Sequence, residues 1–210
     1  MIGNLFRKGK IYTTETVEVF DHDFPSLAEG VAIPHAIYDL AQNKGYINIG
    51  TSRDTSEFAC DSIRYWWNNY GKLSYSNASS ILMLMDGGGS NSSRNYIFKQ
   101  DLQALSDEIG IEIRIAHYPP YTSKWNPIEH KLFPHVTRSL QGMILTSHEL
   151  TKELIEKTTT TSGLTVFASV FNQIYEIGRK VTKGFKQSMR ILFDEHLPLW
   201  NYVTVPKIAI

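Results

Sequence analysis

The spacing of apolar and polar residues changes along the chain, and its first clear signal is a pair of strands. Residues 30–39 predict a strand that Pro34 interrupts or places at an edge, because proline cannot donate to a sheet ladder. Residues 46–50 predict a second strand. The intervening Asn43-Lys44-Gly45 is typical of a tight turn, so the two strands are expected to form a hairpin.

Three later segments also have strand-like patterns. The run 81–85 is apolar throughout, which is typical of a strand covered on both faces. Residues 111–116 alternate between apolar and polar side chains, and Pro119-Pro120 ends this strand. Residues 200–206 predict an extended tail.

The remaining apolar residues recur with a helical period. The pattern predicts helices over residues 58–70, 96–109, 127–140, 147–157, 166–181 and 183–193. Asp54-Thr55-Ser56-Glu57 has the capping residues that begin a helix, and Gly71 and Gly110 are expected to end the first two helices. The order of hairpin, helix, strand, helix, strand and further helices predicts an α/β fold.

The helix that follows residue 126 has a detailed start signal. Asn126 is a suitable N-cap, Pro127 suits the first helical position, and Glu129 is then third. Pro134 lies inside this helix, where it is expected to kink or divide it.

Composition places the chain among ordinary globular proteins. Its 210 residues suffice for one substantial domain, or for one with a small appendage. They are 42% hydrophobic and 20% charged, and no apolar run is long enough to cross a membrane. The N-terminus lacks the pattern of a signal peptide, and the single cysteine, Cys60, excludes an internal disulfide and suits the cytoplasm. Because Cys60 lies among apolar residues, we interpret it as a buried structural thiol.

Charge is balanced, with 21 basic and 21 acidic residues. A protein that binds nucleic acid by itself usually has a basic excess, so the composition argues mildly against autonomous DNA binding and leaves a local basic face open. The run Arg179, Lys180, Lys183, Lys186 and Arg190 is interpreted as a solvated helical face, with DNA contact as the less favoured alternative.

Two acidic residues carry the strongest indication of chemistry. Asp86 ends the apolar run and opens onto Gly87-Gly88-Gly89, and Glu129 begins a helix after forty-two intervening residues. A carboxylate at a strand end and another at a helix start can converge on one divalent metal. Asp86 could instead stabilise the glycine turn, and Glu129 could complete a capping box.

Several motifs, in this order, resemble the DDE transposases of the Rhodopirellula type over residues 1–206. The motifs are Asp21-His-Asp-Phe-Pro25, Ile37-Tyr-Asp39, Ser62-Ile-Arg-Tyr-Trp-Trp67, Asp86-Gly-Gly-Gly-Ser-Asn91, Pro119-Pro-Tyr-Thr-Ser-Lys-Trp-Asn-Pro-Ile-Glu-His130, Thr161-Ser-Gly-Leu164 and Trp200-Asn-Tyr202. The resemblance implies an RNase H-like mixed sheet flanked by helices, in which three acidic residues and two Mg²⁺ ions cut and join DNA strands.

The resemblance also implies roles and partners. Asp86 and Glu129 would be catalytic metal ligands. Independently of the resemblance, Arg94 and Lys124 are candidate contacts of DNA phosphates, with plain solvent exposure as the default for basic loop residues. Mg²⁺ prefers carboxylate oxygens, and two ions about 3.5–4 Å apart can activate the attacking hydroxyl and stabilise the leaving oxygen. The implied partners are insertion-sequence DNA ends and a full-length transposase or a second copy, in the nucleoid of a prokaryote and without a membrane.

The sequence departs from the family pattern at three places. Tyr121 replaces the glycine of Pro-Pro-Gly, and Ser92 replaces the second glycine after Ser-Asn. The family's first catalytic Asp lies in an Asp-Thr-Lys-Lys-Lys-Glu segment just before the match to Ile2-Gly3-Asn4. The chain is therefore expected to lack most of the first, central strand and to be an inactive fragment when alone.

The same resemblance suggests how the domain is divided and what else it could do. Residues 1–206 would be a partial catalytic domain, with an RNase H-like core over about 1–142 and a helical part over about 143–206. One alternative is a non-catalytic protein that pairs with an intact transposase through an exposed sheet edge and inhibits it. Another is a nuclease in which Asp21, Asp23 or Asp39 supplies the third ligand.

Other notable residues are interpreted as structural. Asp21-His22-Asp23 is expected to be a loop and cap, because three consecutive side chains seldom converge on one ion. His117 and His130 are expected to be hydrogen-bonded structural histidines, and Trp66-Trp67 to lie in the core.

Overall fold

The computed structural model describes residues 1–21 and 23–207, and the chain forms two compact units, each from two stretches of sequence. Unit 1 comprises Met1–Arg53 and Pro127–Ile174, and unit 2 comprises Asp54–Asn126 and Tyr175–Ile210. Each unit has its own sheet and helices. The predicted α/β class, with mixed sheets and flanking helices, is confirmed and is consistent with an RNase H-like fold.

Both units are built from short strands and helices. The strands are β1 (Ile33–Asp39), β2 (Lys44–Gly50), β3 (Ser80–Asp86), β4 (Glu112–Tyr118), β5 (Thr165–Phe171), β6 (Ile191–Phe193) and β7 (Asn201–Thr204). The helices are α1 (Ser56–Trp66), α2 (Lys72–Ser74), α3 (Tyr96–Ile109), α4 (Ile128–Lys131), α5 (Phe133–Ser139), α6 (His148–Glu156) and α7 (Phe185–Ser188).

Unit 1 has a three-stranded sheet in the order β1-β2-β5. β1 and β2 are antiparallel, which confirms the predicted hairpin, and Asn43 in its turn has φ 52°. β5 pairs with β2 in the parallel direction. As the middle strand, β2 is buried from its second residue to its last.

The core of unit 1 forms where α5 and α6 meet this sheet. The fully buried Leu132 lies between α4 and α5 and packs with buried residues of β2, β5, α5 and α6. A Cβ atom placed on Gly45 would lie 2.5 Å from Leu132 Cδ1. The absence of a side chain at residue 45 therefore lets Leu132 close against the sheet.

Unit 2 has a four-stranded sheet in the order β3-β4-β7-β6. β3 and β4 are parallel, whereas β7 is antiparallel to both β4 and β6. The buried side chains of this unit include Phe58 and Ile63 of α1, Phe98, Leu102 and Leu105 of α3, Ile113 and Ile115 of β4, and Tyr202 of β7. Trp66 and Trp67 are 7% and 5% exposed, which confirms that they lie in the core.

The prediction that residues 81–85 are covered on both faces is wrong. Leu82 is 65% exposed and Leu84 is 37% exposed, whereas Met85 is buried. β3 is an edge strand of its sheet, and its alternate side chains are buried on one face only. A run of apolar residues therefore did not distinguish complete burial from burial on one side.

Helix α1 does not stop at Gly71 as predicted. The chain continues through a π-helical turn, Trp67–Gly71, into α2. A Cβ atom on Gly71 would lie 2.7 Å from Trp67 Cε3, so this glycine allows close packing. Gly110 does end α3, with φ 74° and its amide bonded to the Ser106 carbonyl, as predicted.

The helix after residue 126 is divided, as Pro134 predicts, into α4 and α5. Its start differs from the prediction: Pro127 is the N-cap position, no side chain caps this end, and Glu129 is the second helical residue. The capping-box interpretation of Glu129 is therefore wrong.

The two helices predicted over residues 166–181 and 183–193 are also wrong. The first segment begins with β5, and the second contains only the four-residue α7 before β6. β5 has the sequence Thr-Val-Phe-Ala-Ser-Val-Phe, whose β-branched and aromatic residues favour a strand once β2 offers a partner. The division of the domain at about residue 142 stays a prediction.

β1 and β3 are both edge strands of their sheets. The expectation that most of the first, central strand is missing remains a prediction. Among the helices that the structure describes, none is long and apolar enough to cross a membrane.

Candidate functional site

Asp86 lies at the end of β3, where two loops leave the sheet. In the parallel ladder Asp86 is opposite Tyr118, the last residue of β4. The loops that follow β3 and β4 therefore begin at the same end of the sheet, where the carboxyl ends of these parallel strands lie. This is the usual place for ligands in α/β proteins. The first is the glycine-rich loop, residues 87–93, which contains a 3₁₀ turn at Gly89–Asn91.

The Asp86 side chain is exposed, and the pKa of its carboxyl group is raised above the ordinary value. Partial desolvation is the larger cause of the raised pKa, and the charge of Asp54 adds to it. No other side chain among residues 1–21 and 23–207 donates a hydrogen bond to it. A carboxylate that is partly desolvated and near a second negative charge is well suited to take up a cation.

The sequence did not identify Asp54 as part of this neighbourhood. Asp54 precedes Thr55, whose Oγ1 caps α1 by accepting from the Phe58 amide at 3.2 Å. Asp54 Oδ2 lies 3.4 Å from where a Cβ atom on Gly89 would be. Its carboxylate is therefore beside the glycine-rich loop, a placement that a capping motif does not reveal.

His117 lies beneath Asp86 and is structural, as predicted. Its ring is buried, with Nδ1 3.3 Å from the Asp86 carbonyl oxygen and Nε2 3.0 Å from the Tyr202 hydroxyl. Burial lowers the pKa of His117, which favours the neutral ring. For His130, the structural interpretation stays a prediction.

Lys99 is a buried cation that the sequence did not single out. It is 3% exposed, donates to the Ser93 carbonyl, and lies 4.6 Å from the centre of the Tyr202 ring. Desolvation lowers its pKa to about 8. A helix lysine is usually assigned to the surface, so only the packing of α3 reveals this placement.

The two predicted DNA-contacting residues, Arg94 and Lys124, are exposed residues of unit 2. Arg94 directly follows Ser93 at the end of the glycine-rich loop. Lys124 lies in the 3₁₀ turn of the loop after β4, with Nζ 5.4 Å from the centre of the Trp125 ring. Both are on loops that leave the same sheet edge as Asp86; their contact with DNA stays a prediction.

The loop after β4 also contains a strained residue. Tyr121 has φ 65°, a left-handed conformation that L-residues with a side chain seldom adopt, and it is 97% exposed. We expect Tyr121→Gly to increase the free energy of unfolding by about 0.5–1 kcal/mol, because glycine adopts this φ without strain. Urea unfolding would measure this.

Tyr121→Ala is the matched control for that experiment. Alanine removes the exposed ring but keeps the strained φ, so its unfolding free energy should stay within about 0.5 kcal/mol of wild type. Equal stabilisation by alanine and glycine would assign the effect to the ring and contradict the strain argument.

Glu129 belongs to unit 1, where it lies in the first turn of α4. Its convergence with Asp86 stays a prediction.

Among the alternative third ligands, Asp39 Oδ1 accepts the amides of Ala41 and Gln42 in the hairpin turn. Asp21 Oδ1 accepts the Asp23 amide, as a loop residue does, and His22 lies outside the described residues.

The other predicted residues have structural contacts. Cys60 is buried, as predicted, and burial raises the pKa of its thiol. The basic run does not form the predicted helical face: Arg179 pairs with Asp101 at 2.8 Å and Arg190 with Asp107 at 2.5 Å. Within residues 1–21 and 23–207, no group of three or more His, Cys, Asp or Glu is placed to hold a metal ion.

A family model described as Rhodopirellula transposase DDE domain matches residues 1–206 of the 210-residue chain. Neither a curated protein nor a solved structure matches the chain.

Proposed function

The chain belongs to the Rhodopirellula transposase DDE domain family, whose general function is DNA transposition, and from this we propose that it is a domain for Mg²⁺-dependent cleavage and joining of DNA strands. One observation carries the proposal. The partly desolvated Asp86 carboxylate stands at the shared edge of two parallel strands, beside a loop with three consecutive glycines.

The residues around Asp86 fit a divalent ion of this type. Carboxylate oxygens are the ligands that Mg²⁺ prefers, and the Asp54 charge adds to the negative potential at Asp86. When bound, such ions activate the attacking hydroxyl and stabilise the departing oxygen. The family resemblance makes Asp86 of β3 and Glu129 of α4 the expected metal ligands.

The loops on either side of Asp86 would bind the DNA backbone. A Cβ atom on Gly88 would meet nothing within 4 Å, so a phosphate can approach this part of the loop without obstruction. Arg94 and Lys124 are exposed cations on the two loops that leave this edge, and they would neutralise phosphates there.

A further carboxylate completes the proposed site. The family resemblance assigns it to an Asp-Thr-Lys-Lys-Lys-Glu segment ahead of the match to Ile2. A chain extended by this segment before Met1 should cleave DNA, because the segment supplies the third acidic ligand.

Nicking of supercoiled plasmid in Mg²⁺ or Mn²⁺ tests this function. The extended chain should nick the plasmid, and the same chain with alanine in place of the added aspartate should not. An extended chain that is folded and binds DNA, yet never nicks it in either metal, would overturn the proposal.

The open edge of β3 favours a second candidate, a non-catalytic partner of an intact family member. β3 pairs only with β4 among the described strands, and exposes Leu82 and Leu84. A strand from another chain could add there through its backbone. Binding of this kind without nicking would favour the second candidate over the first.

A charged edge residue separates these candidates. Leu82→Lys should abolish co-purification with an intact family member, since a lysine on an edge strand opposes strand addition. Leu192→Lys is the matched control, because Leu192 is 64% exposed on β6 at the opposite edge of the same sheet. Equal loss in both variants would contradict binding at β3.

A further inference from the structure

Lys99 is a buried cation of unit 2. Its Nζ lies 4.6 Å from the centre of the Tyr202 ring and 5.4 Å from that of Tyr96, and no described carboxylate pairs with it. Burying a cation without an acidic partner costs stability, and aromatic faces offset this only in part. Methionine would fill similar space without this cost, so packing alone does not explain why a lysine occupies this buried position.

What the ammonium provides is a hydrogen bond to the end of the glycine-rich loop. Lys99 is near the start of α3, and its side chain reaches back to donate to the carbonyl of Ser93. Ser93 is 4% exposed and is the last residue of the loop. Lys99 therefore holds the loop at the end remote from Asp86.

His117 holds the other end. A carbonyl oxygen only accepts, so Nδ1 carries the proton that is donated to the Asp86 carbonyl, 3.3 Å away. In the neutral ring Nε2 then accepts, and the Tyr202 hydroxyl donates to it at 3.0 Å. The hydrogen bond between the Tyr202 hydroxyl and Nε2 helps to keep Nδ1 turned toward Asp86.

The two contacts share Tyr202. Its ring lies against the Lys99 ammonium, and its hydroxyl bonds to His117, whose ring centre is 5.6 Å away. The His117 amide also donates to the Trp200 carbonyl at 2.9 Å, which ties the same strand to the segment just before Tyr202.

We propose that Lys99, His117 and Tyr202 form a positioning network that holds the glycine-rich loop at both ends and so orients the Asp86 carboxylate for metal binding. The network touches the backbone of Asp86 and not its carboxylate, so its members are positioning residues. The metal-binding part of the proposal rests on the proposed function of Asp86; the holding of the loop does not.

Lys99→Met is the main test, because it keeps most of the length and apolar volume of the lysine stem and removes the donor. We expect the Ser92 and Asn95 amides, which bond to carbonyls inside the loop, to exchange with solvent about tenfold faster. Mn²⁺ affinity, measured by calorimetry, should fall by about tenfold, which is the usual loss when a group that orients a metal ligand is removed. The thermal midpoint should not fall, because a buried charge is removed.

Two further variants separate this network from general stability. Lys186→Met removes a cation that also contacts the Tyr96 ring, at 4.2 Å, but is exposed; loop exchange and Mn²⁺ affinity should stay unchanged. Tyr202→Phe keeps the ring beneath Lys99 and loses only the hydroxyl, so it should weaken Mn²⁺ binding.

The outcomes are distinguishable. If Lys99→Met leaves amide exchange in the loop unchanged, the network does not hold the loop and the inference is overturned. If wild type and Asp86→Asn bind Mn²⁺ alike, the proposed function fails, and amide exchange still decides whether the network holds the loop. If Lys99→Met does not fold, Tyr202→Phe decides: unchanged loop exchange and Mn²⁺ affinity would reject the network.

Discussion

Replacing Asp86 by asparagine should abolish DNA cleavage by the extended chain, with a loss of about a thousandfold or more. Metal ions stabilise transition-state charge by several kcal/mol, and each 1.4 kcal/mol is a factor of about ten in rate. Asparagine keeps the shape of the side chain but not the negative charge that holds the ion. Plasmid nicking at saturating Mg²⁺ measures the loss.

Stability should change in the opposite direction. The pKa of Asp86 is raised in the folded chain, so its ionised form destabilises the fold once the pH exceeds the unfolded value. Asparagine removes that cost, and Asp86→Asn should be at least as stable as wild type at pH 7. Loss of cleavage without loss of stability is the signature of a functional residue.

Metal binding should also depend on pH in a defined direction. Protons and metal compete for Asp86, so Mn²⁺ affinity of wild type should increase as pH rises through the raised pKa of this carboxyl. Asp86→Asn should lose this dependence. Glu195→Gln, a charge loss at an exposed position of the same unit, should bind Mn²⁺ as wild type does. Equal weakening in both variants would indicate a general charge effect and count against a site at Asp86.

The second large effect concerns the contact between Gly45 and Leu132. Leu132→Ala should cost about 2–5 kcal/mol of unfolding free energy, because Leu132 is fully buried and its removal leaves a cavity. Gly45→Ala should cost about 1–3 kcal/mol, since its Cβ would lie 2.5 Å from Leu132 Cδ1 in a packed core. Urea unfolding of both single variants measures these values.

The double variant is the sharper experiment. With Leu132 shortened, the alanine at 45 fits the space that it otherwise overfills, so the two costs should fall short of additivity by about 1–2 kcal/mol. Gly30→Ala is the control, because its Cβ would meet only ordinary contacts beyond 3.6 Å; it should change stability by less than about 0.5 kcal/mol. Strict additivity would show that the predicted contact carries no energy.

The sequence predicted the elements whose signals are local. α3 has a regular apolar stripe and a glycine at its end, and the hairpin of β1 and β2 has a turn signal between two short strands. In these elements local preference and tertiary environment agree, so the pattern alone suffices. The prediction of a helix where β5 forms was wrong because β5 pairs with β2, which is remote in sequence. Without knowledge of that partner, the pattern of an apolar segment fits a helix and a strand equally well.

Of the residues near Asp86, the sequence singled out Asp86 itself, Arg94 and Lys124 as candidate site residues. Asp86 was identified because an apolar run ends in a carboxylate and a glycine turn, a signal within a few residues. Asp54 and Lys99 were missed because their relation to Asp86 depends on how α1 and α3 pack in unit 2. The sequence pattern around such a residue does not show which side chains of other elements will lie beside it in the folded chain.

The interleaving of the two units determines when each can form during synthesis. In unit 1, Asn43 Nδ2 donates to the Ser162 carbonyl, 119 positions later; in unit 2, Gln103 Nε2 donates to the Val205 carbonyl, 102 positions later. Loops of this length must close before these contacts stabilise either unit, which slows folding. On the ribosome, the hairpin therefore emerges long before β5, and its open edge is exposed to other chains during that time.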